Sequence, residues 1–443
     1  MKRLAYTLLL SAGLFSLPAE AVSPGRRSDA TSPLPARELI ARNPLAAATN
    51  HMQYTVLDST ITSPPCGYKP FYVSHFSRHG SRGHSSPKEY RTLDSLVKWS
   101  GMGLLTEDGE WLKNQIAAVK AANERSGYGE LTSRGASEHR HIARRMAANF
   151  PQVFSDPART AVHCYSTSVG RVIASMDSFT DRLAQEYPAL EFTKEISADS
   201  PRAKEETNCT SVPKSQKKQI DSAAFNAYRR TILPSIDWGP LLRKTFVDGK
   251  APASFASEPG KLFYKIYTRG QIHQCFDDPS LECIENYFTT DELYTMWAYD
   301  NAFRLFSWGC CAENGGFKAK SASGILDCII RDADAVISGD DPLTCATLRF
   351  SHDGYLQPLL SRMRLQYNDF DGPVSEANDH YNSSFSVHMG GNVQLVFFRR
   401  ECTNSPVLVK ILLSDQEVVI PGLKPDRKGV FYDWDRLKAW WQN

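Results

Sequence analysis

A strand-like run ends abruptly in a cluster of charged residues between positions 71 and 82. Residues 71–73 read Phe-Tyr-Val, which is typical of a strand buried on both faces. Residues 78–82 then read Arg-His-Gly-Ser-Arg. Open α/β sheets bind ligands just beyond the carboxyl ends of their strands. The order of these segments therefore predicts an α/β sheet whose early strand delivers a functional loop.

This loop places one nucleophile between two permanent cations. Arg78 and Arg82 carry planar guanidinium groups whose geometry matches phosphate oxygens. His79 lies between them, and Gly80 is expected to let the backbone turn tightly and approach a ligand. Arginine and histidine also cluster on solvated surfaces, but the preceding buried strand argues against that interpretation. The cluster indicates phosphate chemistry on His79.

Two further polar clusters follow predicted strands. The strand over 161–166 leads to a helix for which Ser168 is the expected N-cap, so that Arg171 falls in the first helical turn. The strand over 346–351 leads to His352 and Asp353. Each cluster is a weak signal by itself, but each directly follows a predicted strand, as the cluster over residues 78–82 does.

Strands early and late in the chain flank a mainly helical middle. Helices are predicted from about residue 106, over 133–149 and after Asp433. Further strands are predicted over 393–398, 407–413 and 417–420, the last two joined as a hairpin. This pattern predicts the α/β class, with a mostly parallel sheet in a three-layer α/β domain and an inserted α-helical domain. We expect residues 22–100, 131–200 and 339–443 to form the α/β domain, and residues 101–130 and 201–338 to form the helical insert or cap.

The first 21 residues have the pattern of a signal peptide. Lys2 and Arg3 precede an apolar run over 4–17, and residues 19–21 read Ala-Glu-Ala. The apolar run is short for a bilayer span, so an uncleaved anchor is the weaker alternative. We expect a chain that is exported to the periplasm, the exterior or the secretory lumen and starts near Val22.

Net charge and hydropathy beyond residue 21 bear on whether the protein binds nucleic acid, a membrane or a small molecule. The formal net charge is +2, and removal of Lys2, Arg3 and Glu20 leaves +1. So small a net charge says little about partners, and attraction for an anion must come from local clusters. No later segment is apolar enough to span a membrane. We therefore expect a small-molecule ligand, no nucleic acid and no stable membrane insertion.

The ten cysteines all follow residue 21, and their even number suits an oxidising compartment. Several disulfides are expected, with Cys275–Cys283 as the first candidate and with different partners for Cys310 and Cys311. No C-x-x-C pair occurs, which disfavours a zinc ribbon or a thioredoxin-like site.

Several basic residues have two interpretations. His75, His79 and His84 have a spacing that could suggest a metal site, but in a strand followed by a loop their side chains do not converge, so no metal is expected. His84 and Lys88 either extend the phosphate-binding surface or are ordinary exposed residues. A third basic cluster either meets outer phosphates or forms a solvated face, which we favour; its members are Lys214, Lys217 and Lys218.

Taken in order, these motifs resemble the histidine acid phosphatases, branch 2 of the histidine phosphatase superfamily. The resemblance extends from about Pro64 to the C-terminus. Its motifs are residues 78–82, 131–140, 166–171, 349–354 and 391–398. Within that family the chain is most similar to the multiple inositol polyphosphate phosphatases. Those enzymes typically have His-Ala-Glu in the late motif, where residues 352–354 read His-Asp-Gly.

The resemblance implies a metal-free phosphomonoesterase without a cofactor. His79 would attack phosphorus and carry the phosphoryl group, and Asp353 would give and later take a proton. The phosphate oxygens would be bound by Arg78, Arg82, Arg171 and His352. The implied substrate is an inositol polyphosphate such as phytate. The alternatives are a broad-specificity acid phosphatase and a non-catalytic anion-binding protein that keeps the fold.

Overall fold

One mixed sheet organises the fold, and its central strand is the one predicted around Tyr72. A computed structural model describes residues 35–55, 60–401 and 404–442; the predicted signal peptide lies outside them. The strands are β1 Tyr68–Arg78, β2 Ala161–Ser166, β3 Glu191–Ile196, β4 Thr344–Ser351, β5 Asn392–Arg400, β6 Leu408–Leu413, β7 Gln416–Val418 and β8 Phe431–Asp433. Their order is β3-β2-β4-β1-β5-β6-β7, and β8 pairs with β6.

The predicted α/β class is confirmed, but the sheet is mixed rather than mostly parallel. Strands β1 to β4 pair in parallel, whereas β5, β6, β7 and β8 pair antiparallel. The antiparallel half arises because β5, β6 and β7 follow one another through short connections, which cannot cross over to a parallel strand. The hairpin predicted between β6 and β7 is present, with Ser414 and Asp415 at positive φ as a tight turn requires.

The register of the parallel strands brings three strand ends to one edge of the sheet. Arg78 at the end of β1 pairs with Ser351 at the end of β4. Ser166 at the end of β2 pairs with Phe350. The loops that follow β1, β2 and β4 therefore leave the sheet side by side.

Helices cover both faces of the sheet. The helices of the described residues are α1 Ala36–Arg42, α2 Arg91–Gly101, α3 Glu107–Ser126, α4 Ser133–Asn149, α5 Pro151–Phe154, α6 Gly170–Glu186, α7 Pro201–Thr207, α8 Lys214–Lys217, α9 Ser222–Ile232, α10 Gly239–Thr245, α11 Pro259–Gly270, α12 Thr290–Trp308, α13 Phe317–Lys320, α14 Ser323–Ser338, α15 Asp353–Arg362, α16 Ala377–His380, α17 Ser383–Ser386 and α18 Trp434–Gln442. Helices α4 and α6 bury their apolar faces on one side of the sheet, and α14, α15 and α18 on the other. No helix among these is long and apolar enough to cross a membrane.

A third apolar core holds many of the remaining helices together. It joins α3, α11 and α12, with Leu112, Leu262 and Trp297 among its fully buried members. Helix α3 begins where predicted because the Thr106 side chain accepts a hydrogen bond from the N–H of Gly109 at 3.1 Å. Gly127, at φ 86°, ends it.

Three local predictions fail for identifiable reasons. Ser168 is not the N-cap of α6: its N–H donates to Ser197 Oγ at 3.1 Å, and the helix begins at Gly170. The edge strand β3 was missed because its residues are mainly polar and its side chains are partly or fully exposed. The nine cysteines of the described part of the chain are free thiols, and the expected Cys275–Cys283 disulfide is not formed.

A buried ionic cluster fixes β4 beside β1. Arg349 is fully buried; its Nε donates to Glu206 at 2.7 Å, its Nη2 to Asp332 at 2.6 Å and its Nη1 to Ser74 Oγ at 3.0 Å. Burial alone would lower the pKa of Arg349, but the two carboxylates outweigh it and raise that pKa. Although Arg349 belongs to the late sequence motif, its contacts are structural.

Breaking this cluster should destabilise the protein strongly. Glu206→Ala would leave the Arg349 charge without one of its two carboxylates, and removal of one partner of a buried ion pair costs about 3–5 kcal/mol. The free energy of unfolding in urea measures the loss. Glu186→Ala breaks the half-exposed Arg182–Glu186 pair instead and should cost about 0–1 kcal/mol. Equal effects of the two changes would contradict the interpretation.

Candidate active site

The three predicted loops converge on His79. The backbone N–H of His79 donates to Ser351 O at 3.0 Å, which ties the first loop to the end of β4. The rings of His79 and His352 lie edge to face with centroids 5.6 Å apart. His352 Nε2 lies 3.2 Å from Thr167 Oγ1 of the second loop. The residues after β1, β2 and β4 thus share one site.

The ring of His79 is held in one tautomer. Its Nδ1 lies 2.8 Å from Gly80 O, and a carbonyl oxygen can only accept, so Nδ1 carries the proton. Nε2 is left with a free electron pair. Burial lowers the pKa of His79 well below its usual range, and the charges of Arg78, Arg82 and Arg171 lower it further. The ring is therefore neutral, with an electron pair available at Nε2.

Arg78 is fully buried and only partly satisfied. Its Nη1 donates to Asn50 O and, at 2.7 Å, to Val387 O. Its Nε and Nη2 have no hydrogen-bond partner, although Nη2 lies 3.8 Å from Asp353 Oδ2. Burial, with a contribution from Arg82, lowers the pKa of Arg78 to about 10. The free Nε–Nη2 edge has the geometry that binds two phosphate oxygens at once.

Arg82 and Arg171 lie near this edge and are anchored by backbone carbonyls. Arg82 Nη1 donates to Gly83 O at 2.8 Å, and Arg171 Nη1 to Gly129 O at 3.4 Å. The Nε of each is buried without a partner. Burial and the charge of Arg82 lower the pKa of Arg171 to about 10. Such mutual repulsion among the arginines is relieved when an anion binds between them.

Asp353 is ionised in this arrangement. Burial would raise its pKa, but the nearby charges of Arg78 and Arg304 outweigh burial and hold that pKa well below its usual range. Asn50 Nδ2 also donates to Asp353 Oδ2. The neighbouring His352 has its pKa lowered to about 4 by burial and by Arg171, and is neutral.

Close packing against α4 holds the loop after β1 in place. A Cβ at Gly80 would lie 2.4 Å from Gly135 O, and one at Gly135 would lie 2.4 Å from Ser81 O. Glycine is needed at position 80 for this approach of two backbones; no positive φ is involved. Glu138 accepts from the N–H and the hydroxyl of Ser81, each at 2.7 Å. The loop is therefore rigid before any ligand arrives.

Four residues of the site were missed by the sequence reasoning. Asn50 contacts both Arg78 and Asp353, and His51 and Arg304 lie close enough for charge interactions with Arg78. His388 is buried, and burial lowers its pKa to about 4. Asn50 and His51 belong to a 3₁₀ segment, Pro44–His51, with no periodic pattern. Arg304 lies inside helix α12 among aromatic and apolar residues, and no sequence motif there indicates a functional site.

The outer residues differ in exposure. His84 is buried, with Nδ1 3.0 Å from Glu89, whereas Lys88 is exposed. Lys217 and Lys318 line a cavity of about 470 Å³ that also contains His352 and Asp353.

Possible metal ligands converge elsewhere in the described residues, away from His79. His75 is buried between Phe179 and Phe350 instead of facing a common centre. His273, Cys283 and Glu285 do lie together, with His273 Nε2 2.7 Å and Cys283 Sγ 3.2 Å from Glu285 Oε2. These hydrogen bonds satisfy the group without an ion.

Comparisons with solved structures reveal the same fold in phosphatases. The multiple inositol polyphosphate phosphatase of Bifidobacterium longum, in complex with phosphate, superposes with a TM-score of 0.71 at 19% identity, covering 89% of this chain and 97% of that one. The phytase from D. castellii gives 0.63 at 16% identity, covering 90% and 84%. The phytase of Klebsiella sp. ASR1 gives 0.55 at 12% identity, covering 85% and 96%.

Sequence comparisons are consistent with this. No curated protein matches the chain. The family model of the histidine phosphatase superfamily (branch 2) matches residues 72–414, from the central strand to the β6–β7 turn. Both the predicted family and the assignment as a histidine acid phosphatase are confirmed. The chain belongs to the histidine phosphatase superfamily, branch 2.

Proposed function

We propose that this protein hydrolyses phosphomonoesters through a phosphohistidine formed on His79. The observation that carries the proposal is the unprotonated Nε2 of His79, within range of the charge of Arg78, whose Nε–Nη2 edge is free. Arg78, Arg82 and Arg171, with His352, bind the phosphoryl oxygens and neutralise their charge. Nε2 then attacks phosphorus in line as the ester P–O bond breaks.

Asp353 handles the proton in both steps. In the first step its protonated carboxyl gives a proton to the departing alkoxide. In the second step the carboxylate takes a proton from the water that attacks the phosphohistidine, releasing inorganic phosphate. Electrostatic stabilisation comes from the arginines, so no metal is needed for charge neutralisation.

We further propose that the substrate is an inositol polyphosphate. The site offers more cations than one phosphate requires: beyond the three arginines, Arg304 lies near Asp353, and Lys217 and Lys318 line the adjoining cavity. A ring with several phosphates could place one at His79 and others on these groups. The predicted helical insert, residues 101–130 and 201–338, would cover the site with its helices other than α14, which packs on the sheet. The sequence of residues 1–21 supports export.

Loss of the nucleophile should abolish turnover without unfolding the protein. We expect His79→Ala to reduce phosphate release at least about 10³-fold, as removal of a nucleophile does in other covalent enzymes. Circular dichroism should be unchanged, and EDTA should leave wild-type activity intact. His141→Ala, on the exposed face of α4, is the control and should behave as wild type. Substantial turnover by His79→Ala would rule out the phosphohistidine route.

Binding of phosphate should draw a proton onto Asp353. Arg78 and Arg304 lower the pKa of Asp353 in the free protein. A bound phosphate anion offsets their charge, so that pKa rises and Asp353 takes up a proton at mildly acidic pH, in addition to any proton that the phosphate itself exchanges. Calorimetry of phosphate binding in buffers of different ionisation enthalpy measures the uptake. Asp353→Asn should bind phosphate without it. Equal proton uptake by wild type and variant would assign the proton to another group.

The cavity lysines should matter for a polyphosphate only. Lys217→Ala and Lys318→Ala should raise KM for phytate several-fold, since each loses a charge contact of about 1 kcal/mol, and leave KM for p-nitrophenyl phosphate unchanged. Lys214→Ala is the matched control, because Lys214 lies on the same short helix as Lys217 but does not line the cavity. Higher kcat/KM for the aryl phosphate, with no lysine effect, would favour a broad-specificity acid phosphatase. Binding of phytate without turnover would favour an anion-binding protein.

A further inference from the structure

Asn50 contacts both charged partners of the proposed reaction. It is 2% exposed and lies near the end of the 3₁₀ segment Pro44–His51. Its side-chain Nδ2 donates to Asp353 Oδ2, and its backbone carbonyl accepts from Arg78 Nη1. One residue thus sets the position of the acid relative to the phosphate-binding arginine.

The contact distinguishes the two oxygens of Asp353. Oδ2 accepts from the Asn50 amide and faces Arg78 Nη2 at 3.8 Å. A proton on Oδ2 would point at N–H donors and displace this hydrogen bond. The remaining oxygen, Oδ1, is therefore the one that can hold the transferable proton.

We propose that Asn50 is a positioning residue that assigns the catalytic proton to Oδ1 of Asp353. This inference rests on the proposed function. In the first step Nε2 of His79 forms its bond to phosphorus, and the electron pair of the breaking P–O bond goes to the leaving oxygen. That oxygen takes the proton from Oδ1, so Asp353 ends the step as a carboxylate whose Oδ2 keeps the Asn50 hydrogen bond.

A strained backbone holds Asn50 in place. The preceding residue, Thr49, has φ 51° and ψ −129°, a conformation that a β-branched residue rarely adopts. Its hydroxyl donates to Asp300 Oδ2 at 2.6 Å, and Asp300 also accepts from Tyr264 and Arg304. Such strain persists only where the surroundings determine it, and here the buried network around Asp300 does so.

Leaving-group dependence tests the inference. A p-nitrophenolate departs without protonation, whereas an alkoxide such as that of glycerol 2-phosphate requires it. Asn50→Leu, of similar size but without the amide donor, should lower kcat/KM about tenfold or more for glycerol 2-phosphate and leave p-nitrophenyl phosphate within about threefold. Asp353→Asn should give the same pattern with a larger loss.

A control variant distinguishes loss of the Asn50–Asp353 hydrogen bond from a general destabilisation of the 3₁₀ segment Pro44–His51. Ser384→Ala removes the hydrogen bond from Ser384 Oγ to Ala46 O, which supports the same 3₁₀ segment. It should affect both substrates equally. Equal losses on both substrates in Asn50→Leu would overturn the inference. If Asp353→Asn itself shows no leaving-group dependence, the proposed role of Asp353 fails instead.

A second variant covers a failure of Asn50→Leu to fold. Asn50→Asp keeps the side-chain size but places a second carboxylate beside Asp353, and two neighbouring carboxylates raise the pKa of one of them. The alkaline limb of kcat/KM for glycerol 2-phosphate should shift, whereas that for p-nitrophenyl phosphate should not. An unchanged pH profile would overturn the inference.

Discussion

The site depends on a positive charge buried at the end of the central strand. Arg78 is fully buried, yet only its Nη1 is hydrogen-bonded, to two carbonyls, and its nearest carboxylate oxygen lies 3.8 Å away. An uncompensated buried charge is energetically unfavourable. The carbonyl oxygens of Asn50 and Val387 offset part of this cost by accepting hydrogen bonds from Arg78. The Nε and Nη2 donors of Arg78 are free for an anion, so the proposed phosphate binding would supply the negative charge that the fold itself does not provide.

Arg78 acts in opposite ways on the two groups of the proposed reaction, His79 and Asp353. Burial and the charges of Arg78, Arg82 and Arg171 keep His79 neutral, as the proposed nucleophile must be. Arg78 and Arg304 keep Asp353 ionised, which the proposed general acid must not be. In the proposed reaction His79 must be neutral when it attacks phosphorus, whereas Asp353 must be protonated when the leaving group departs and ionised when water attacks. The bound phosphoryl group reduces the potential at Asp353, while the hydrogen bond from His79 Nδ1 to Gly80 O keeps the tautomer of the nucleophile fixed. The substrate would therefore help to prepare its own acid.

The sequence predicted those parts of the site that follow strands. Strand β2 and helix α4 have the predicted bounds, and the loops after β1, β2 and β4 meet because the parallel register requires it. The contribution of Asn50 could not be predicted, because the 3₁₀ segment that carries it has no period and reaches Asp353 only through the tertiary fold. The contact of Gly80 with Gly135 could not be predicted either, because the two residues meet only in the tertiary fold.

Two arginines on neighbouring strands show what separates structure from reactivity here. Arg349 in β4 and Arg78 in β1 are both fully buried. Arg349 donates to two carboxylates and a hydroxyl, which leaves it no donor edge for a ligand. Arg78 keeps its Nε–Nη2 edge free and has a carboxylate near but not bound. Because β1 and β4 are paired, the fully hydrogen-bonded cluster around Arg349 holds in place the strand end at which the proposed binding and reaction would occur. The proposed function requires both kinds of arginine. Arg78 has free donors for an anion, and Arg349 has its donors fully used by groups of the protein, which keeps the strands in place.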